Sequence, residues 1–290
     1  MNEVIIQALI LAGIYALLGL SLNIQFGLTG LLNFGQVLFY AVGAYGPAFV
    51  AYHNLPIWAG DLGGIVAAGL AGALIALPVR LIPESFWSLM SLGGALVFTT
   101  IIANENGIAG GAVGSSGIFP WSQGQLLAVL GVAVLATLAY AERIRRSQLG
   151  RTARAIRDDE VMVAALGRSV FSLRVRTLVV GGIIGGAAGV VYAHWITFVS
   201  PDAFSLTITL QLLVIVVLGG LANNYGILLG TAVVVLFQVF LQLYPPTFLS
   251  GSVQALLDGS VYGLLLIVTL LFRRHGLIRE RRMRFADATN

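Results

Sequence analysis

Apolar residues run through this chain in long blocks, broken by short polar or glycine-rich pauses. A run of about 20 apolar residues crosses a hydrocarbon core of about 30 Å, at about 1.5 Å of rise per residue. On that measure the pattern predicts helices at 4–24, 34–52, 58–79, 85–103, 124–141, 174–197, 206–222, 226–244 and 254–272. The opening MNEVIIQ has no basic segment and no A-x-A site, so the first block is expected to stay as a span and not to be removed as a signal peptide. The expected fold class is all-α, a polytopic transmembrane helical bundle of about eight or nine spans, with residues 1–290 as one domain.

Two pauses look like broken or re-entrant backbone. The first runs from Asn23 to Gln36 and holds Asn23, Gly27, Gly30, Asn33, Gly35 and Gln36. The second runs from Gly219 to Gly226 and holds Asn223 and Asn224. Unwound backbone at membrane depth survives where it is buried in protein or lines a polar cavity. A pair of glycine-interrupted segments in the two halves of a chain points to a transport site. The amides of the first pause are uncharged donors and acceptors, able to replace part of a small solute's water shell. They are the expected solute path. The glycines at 181, 182, 185, 186 and 189 have the G-x-x-x-G spacing that lets membrane helices approach closely, within the chain or at a subunit interface.

Composition supports the membrane reading. Hydrophobic residues make up 58% of the chain and charged residues 10%, against about 25% charged in soluble domains. Cysteine is absent, which excludes a disulfide framework, thiol chemistry and Cys-ligated metal. All 16 basic residues are arginine: Arg80, nine between Arg143 and Arg176, and six between Arg273 and Arg284. Positive charge beside spans marks the cytoplasmic side. Counted from the block at 143–176, the turn at Arg80 and the tail both fall on that side. The N-terminus is then expected outside and the C-terminus in the cytoplasm. The net charge of +4 sits beside spans and is no sign of nucleic-acid binding.

Chemistry of its own is not expected. A P-loop places a lysine on the phosphates, and this chain has no lysine. HExxH, GxSxG and paired catalytic carboxylates are absent too, so the chain reads as a non-enzyme with no cofactor or metal, and energy has to come from another subunit. No ionisable residue sits in mid-span, which disfavours proton coupling. His194, beside Trp195 near the outer end of its helix, reads as a residue at headgroup level.

The segment between the fifth and sixth spans reads Ser147-Gln-Leu-Gly-Arg-Thr-Ala-Arg-Ala-Ile-Arg-Asp-Asp-Glu-Val-Met-Val-Ala-Ala-Leu-Gly167. It reads as a short amphipathic helix or helix pair with a basic face at Arg151, Arg154 and Arg157. On charge alone that face is a lipid anchor. The string resembles the loop "fGRalRAireDe…A…lG" of permeases in branched-chain amino-acid ABC importers. Gly150, Arg151, Arg154, Ala155, Asp159, Ala165, Leu166 and Gly167 match it as they stand. The stretch from Leu22 to Tyr45 is similar to that family's first broken region. Gly110, Gly111, Gly114, Ser116 and Gly117 are similar to its external "tGG.nGlsGi" loop, typical of one of its two homologous permeases. Gln36, Ala109 and Leu221-Ala-Asn-Asn224 depart from it.

The resemblance implies a single transmembrane permease domain with a cytoplasmic coupling loop at about 142–173 and a basic tail at about 273–290. It implies that Gly150, Arg151, Arg154, Arg157, Asp159, Ala165, Leu166 and Gly167 couple to ATPase subunits. It also implies a second permease (a homologue or a copy), two ABC ATPases that use the ATP, an external solute-binding protein, and a place in the bacterial inner membrane. The solute would be a branched-chain amino acid or a similar small polar molecule. A stand-alone carrier or channel for urea or a short amide is the alternative.

Overall fold

The computed structural model describes residues 2–243 and 276–278. The ninth predicted span at 254–272, and the tail apart from 276–278, lie outside the described residues. The main helices follow the predicted blocks. They are α1 (Asn2–Leu22), α2 (Gln36–Tyr52), α3 (Ile57–Ala76), α4 (Glu84–Asn104), the short α5 (Asn106–Ala109) and α6 (Gln123–Arg146). After them come α7 (Gln148–Asp158), α8 (Glu160–Ala165), α9 (Val170–Ile196), α10 (Leu206–Gly219) and α11 (Asn224–Leu243). Seven helices among the described residues are long and apolar enough to cross a membrane. The 17-residue α2, which contains Pro47, adds a shorter buried one.

Two boundaries differ from the expected ones by four residues or more. α6 continues one turn past 141, to Arg146, and α9 begins at Val170 and not at 174. The connecting segment therefore shrinks to 147–169. Local capping explains both ends. The Ser147 hydroxyl accepts from the Gly150 nitrogen and starts α7, and the Ser169 hydroxyl accepts from the Ser172 nitrogen and starts α9. The fold is also not purely helical. Ser115–Ser116 pair antiparallel with Phe198–Val199 in a two-residue ribbon.

α2, α3 and α9 form the tightest part of the core. Small residues make this possible. A Cβ on Gly189 would run into the Tyr40 carbonyl and come within 2.6 Å of the Ala44 nitrogen, and one on Gly64 would lie 2.6 Å from the Gly43 carbonyl oxygen. The glycine run of α9 thus serves packing within this chain. On the outer side Leu62, Val66, Leu70 and Leu74 of α3 recur at about one helical turn and are exposed. That apolar outer face is what a helix beside lipid shows.

At the end away from the arginine block, His194 is only 1% exposed. Its Nδ1 lies 2.7 Å from the Phe119 carbonyl oxygen and its Nε2 lies 2.8 Å from Asp61 Oδ1. Trp121 stacks on the ring at 4.1 Å. The residue expected at headgroup level is instead a buried cross-link between α3, α9 and the loop before α6. A polar ring enclosed this deeply needs both nitrogens met, and Asp61, 133 residues away, meets one of them.

Candidate functional site

α1 ends in a π-helical turn, Asn23–Gly27, before the chain breaks at Gly30, whose φ is +77°. A π turn inside a helix leaves backbone groups out of the regular ladder and is often found at functional sites. The second pause behaves alike: α10 ends at Gly219, Gly220 and Ala222 take positive φ of 105° and 59°, and α11 restarts at Asn224. The structure brings the two breaks together. Asn23 Oδ1 accepts from the Ala222 nitrogen at 2.9 Å, and Asn23 Nδ2 donates to Asn224 Oδ1 at 3.0 Å. Asn224 Nδ2 reaches Glu142 Oε2 at 3.4 Å. Glu142 in turn accepts from Arg145 at 2.6 Å and Arg146 at 2.7 Å. A line of polar contacts thus runs from the buried break to the arginine-rich end. Beside it Glu142, Arg145, Arg146, Asn223 and Tyr225 line a cavity of about 270 Å³.

The other amides of the first break point elsewhere. Gln25 is the hub. It donates to Gln36 Oε1 at 2.9 Å and accepts from Asn33 Nδ2 at 2.8 Å. Gln36 donates to the Ser21 hydroxyl at 2.8 Å, and Ser21 donates to the Gly181 carbonyl on α9 at 2.8 Å. Asn33 also receives the Gly35 nitrogen at 2.8 Å. Ser21, Gln25, Asn33 and Gln36 are each 0% exposed. Together they make an enclosed amide lock between α1, α2 and α9. The six residues expected on a solute path thus fall into two groups. Asn33, Gly35 and Gln36 join the lock, while Asn23, Gly27 and Gly30 face the second break and α7.

Sequence reasoning missed Ser21, Gln25, Glu142 and Arg174. Ser21 and Gln25 stand at the end of an apolar block, and a polar residue in such a place was itself a signal. Arg174 opens the span expected at 174–197. It is 5% exposed and holds Glu160 through two bonds of 3.1 and 2.9 Å, with Glu84 at 3.4 Å. Glu84 titrates above the usual carboxylate range. Burial is the larger cause, Arg174 opposes it, and Glu160 adds to it.

The segment 147–169 sorts into builders and presenters. Gly150 lets α7 fold back tightly on the end of α6, because a Cβ there would meet the Arg145 carbonyl oxygen at 2.9 Å. Asp159 caps α8 by accepting from the Met162 nitrogen at 2.9 Å. Gly167, at φ +75°, ends α8 in the left-handed conformation that favours glycine. Arg154 bonds the Arg145 carbonyl at 3.1 Å and Arg157 bonds the Gly27 carbonyl at 2.6 Å, so both turn inward. Arg151 stays exposed, with its guanidinium 3.3 Å from the Arg146 carbonyl. Ala165 and Leu166 are exposed, as are Val161 and Met162. Ala153 and Ile156 of α7 and Val163 of α8 pack with Leu28 and Ala222, one residue from each break, in a cluster separate from the main core.

The loop from Gly110 to Gly117 is built by left-handed glycines, with φ of 80° at Gly110, 61° at Gly111, 83° at Gly114 and 88° at Gly117. Ser116 is exposed and opposite Phe198 in the ribbon.

A bundle of long apolar helices with two meeting helix breaks defines a multi-pass membrane transport protein. Comparison with known proteins narrows the class. Residues 4–270 match the family model described as branched-chain amino acid transport system / permease component, and the chain belongs to that family. It is 28% identical to the probable branched-chain amino acid transport permease protein LivM of Methanocaldococcus jannaschii, over 96% of this chain and 94% of that one. It is also 28% identical to the high-affinity branched-chain amino acid transport system permease protein LivM of Salmonella typhimurium, over 91% of this chain and 68% of that one. The LivH permease protein of Escherichia coli is 24% identical, over 82% of this chain and 84% of that one.

Proposed function

We propose that this chain is one membrane-spanning half of an ATP-driven importer for branched-chain amino acids or a similar small polar solute. The observation that carries the reading is the α7–α8 segment. It packs inward on both helix breaks and presents Val161, Met162 and Leu166 outward at 79%, 63% and 74% exposure. An exposed apolar patch with charged Asp158 and Arg168 at the two ends of its segment suits the groove of another protein. The docking face is then the outer side of α8 and not the arginines of α7.

Partner ATPases supply the energy, since a chain without lysine has no P-loop of its own. The higher identity to two proteins named LivM favours the LivM-type half, with a LivH-type permease as its companion. An external binding protein delivers the solute. The arginine-rich end faces the cytoplasm, the N-terminus lies outside, and the membrane is the bacterial inner one. Transport requires the amide lock to open, and Gln25, Asn33 and Gln36 then exchange their mutual bonds for bonds to the solute.

Isolation in mild detergent with its neighbours tests the reading. The parent chain is expected to bring down a second permease and two ATPases, and Met162→Glu to lose the ATPases while keeping the permease. A parent chain that captures no ATPase sinks the importer reading and favours a stand-alone carrier.

A further inference from the structure

α7 and the broken end of α1 meet at a charged contact. Arg157 Nη1 donates to the Gly27 carbonyl at 2.6 Å, across 130 residues of chain. Gly27 closes the π turn, and carbonyls at a helix C-terminus carry partial negative charge that favours a cation. The arginine stem lies along Gly30. An ideal Cβ on Gly30 would come within 3.1 Å of Arg157 Cγ and 3.6 Å of its Cβ. Glycine at position 30 therefore allows both the left-handed turn and the close seating of the arginine. Leu28 and Ala222 pack against Ala153 and Ile156 beside this point, and Asn23 bonds the Ala222 nitrogen at 2.9 Å. A displacement of α7 therefore bears on both breaks.

We propose that Arg157 is a positioning residue that fastens α7 to the broken end of α1, so that the two move as one body when the ATPases close. This rests on the reading of the chain as an ATP-driven importer. It gives Arg157 a different role from a docking residue, because its guanidinium is bound to the membrane bundle and not offered to a partner. The elements that rearrange against that body are the ones joined by exchangeable amide bonds, the lock of Gln25, Asn33 and Gln36.

The absence of cysteine makes a covalent test clean. The separation of 3.6 Å lies within the about 3.5–4.5 Å that a disulfide spans between Cβ atoms. The assembled transporter carrying Gly30→Cys and Arg157→Cys would be put into vesicles, and solute uptake and ATP consumption measured reduced and oxidised. Reduced, uptake is expected to fall about tenfold or more below that of the parent, the factor expected when a charged hydrogen bond is lost. ATP consumed per solute rises, and the ATPases still co-purify. Oxidised, uptake returns toward the parent level, since the disulfide replaces the lost fastening. Arg157→Ala alone gives the same loss and serves if Gly30→Cys is inactive.

Arrest of uptake on oxidation would show that α7 and α1 slide past each other, and would overturn the proposal. So would failure of the disulfide to form between two thiols that both label. Loss of ATPase from Arg157→Ala would make Arg157 a docking residue and overturn it as well. A parent complex with no ATP-dependent uptake would instead condemn the importer reading on which this rests.

Discussion

Two buried regions of the bundle are built on opposite plans. Where α2, α3 and α9 meet, contact is backbone against backbone, with Gly43, Gly64, Gly186 and Gly189 at the crossings. Where α1 breaks, contact is amide against amide, with Ser21, Gln25, Asn33 and Gln36 bonded to one another. Glycine crossings have no side chain to re-aim and no alternative partner, so they hold one arrangement. Buried amides can trade one partner for another of similar strength, as long as each step leaves none unsatisfied. The first plan suits a fixed frame and the second an element that switches.

The sharpest way to break this contrast is to enlarge a crossing glycine. Gly189→Leu puts a side chain where the Tyr40 carbonyl and the Ala44 nitrogen already sit. Overpacking against backbone cannot relax by a rotamer change, so the cost should exceed about 3 kcal/mol. The expected result is loss of monodisperse protein on size-exclusion chromatography in detergent. Normal yield and melting would show that the three-helix frame is looser than the structure has it.

Next in size is the hub of the lock. Gln25→Leu strands the Asn33 amide and the Gln36 carbonyl, each 0% exposed, at about 1–3 kcal/mol for each buried group left unpaired. A lower melting temperature is expected, together with uptake reduced more strongly than in a frame variant of equal stability. Equal losses of uptake at equal stability would mean the lock is only another part of the frame.

How much of this was legible in the residues differs between the two plans. The frame was visible, because the spacing of the glycines from 181 to 189 and the apolar block lengths report on one helix at a time. The expected 85–103 and the observed Glu84–Asn104 differ by one residue at either end. The amide lock was visible only in its parts. Asn33 and Gln36 stood out among glycines, but Gln25 hid at the end of an apolar run, and pairings such as Asn23 with Asn224 join positions 201 residues apart. Charge misled in one place. A basic face at Arg151, Arg154 and Arg157 looked outward on a helical wheel, yet backbone carbonyls at Arg145 and Gly27 drew two of the three inward. Unsatisfied carbonyls at helix ends attract arginine strongly, and a pattern of side chains along one helix carries no record of them.

A smaller effect is expected at the other end of the bundle. His194→Ala would leave the Phe119 carbonyl and the Asp61 carboxylate without the ring that meets both at 2.7 and 2.8 Å. Asp61 keeps partial contact with solvent, its side chain being 23% exposed, so the loss should stay near about 2 kcal/mol. Thermal melting in detergent checks it. His194→Gln, which can reach only one of the two acceptors, should fall between parent and alanine.

The smallest effect concerns Glu84 and has a sign set by pH. Arg174 is shared between Glu160 at 2.9 Å and Glu84 at 3.4 Å. The nearer carboxylate takes most of the cation, and burial outweighs what remains, so the Glu84 carboxyl titrates above its usual range. A carboxyl raised on folding binds its proton more readily in the folded chain. Its contribution is most favourable below the unfolded value and is lost as pH rises through the folded one. Glu84→Gln removes a partly desolvated charge and its repulsion by Glu160 while keeping the shape. The variant should melt slightly higher than the parent at neutral pH, and the gap should close as the pH is lowered through the raised Glu84 value, where the parent's own carboxyl becomes neutral. A variant that melts clearly lower at neutral pH would show that the longer contact to Arg174 holds α4 to α9 after all, and that this cluster belongs with the fixed frame.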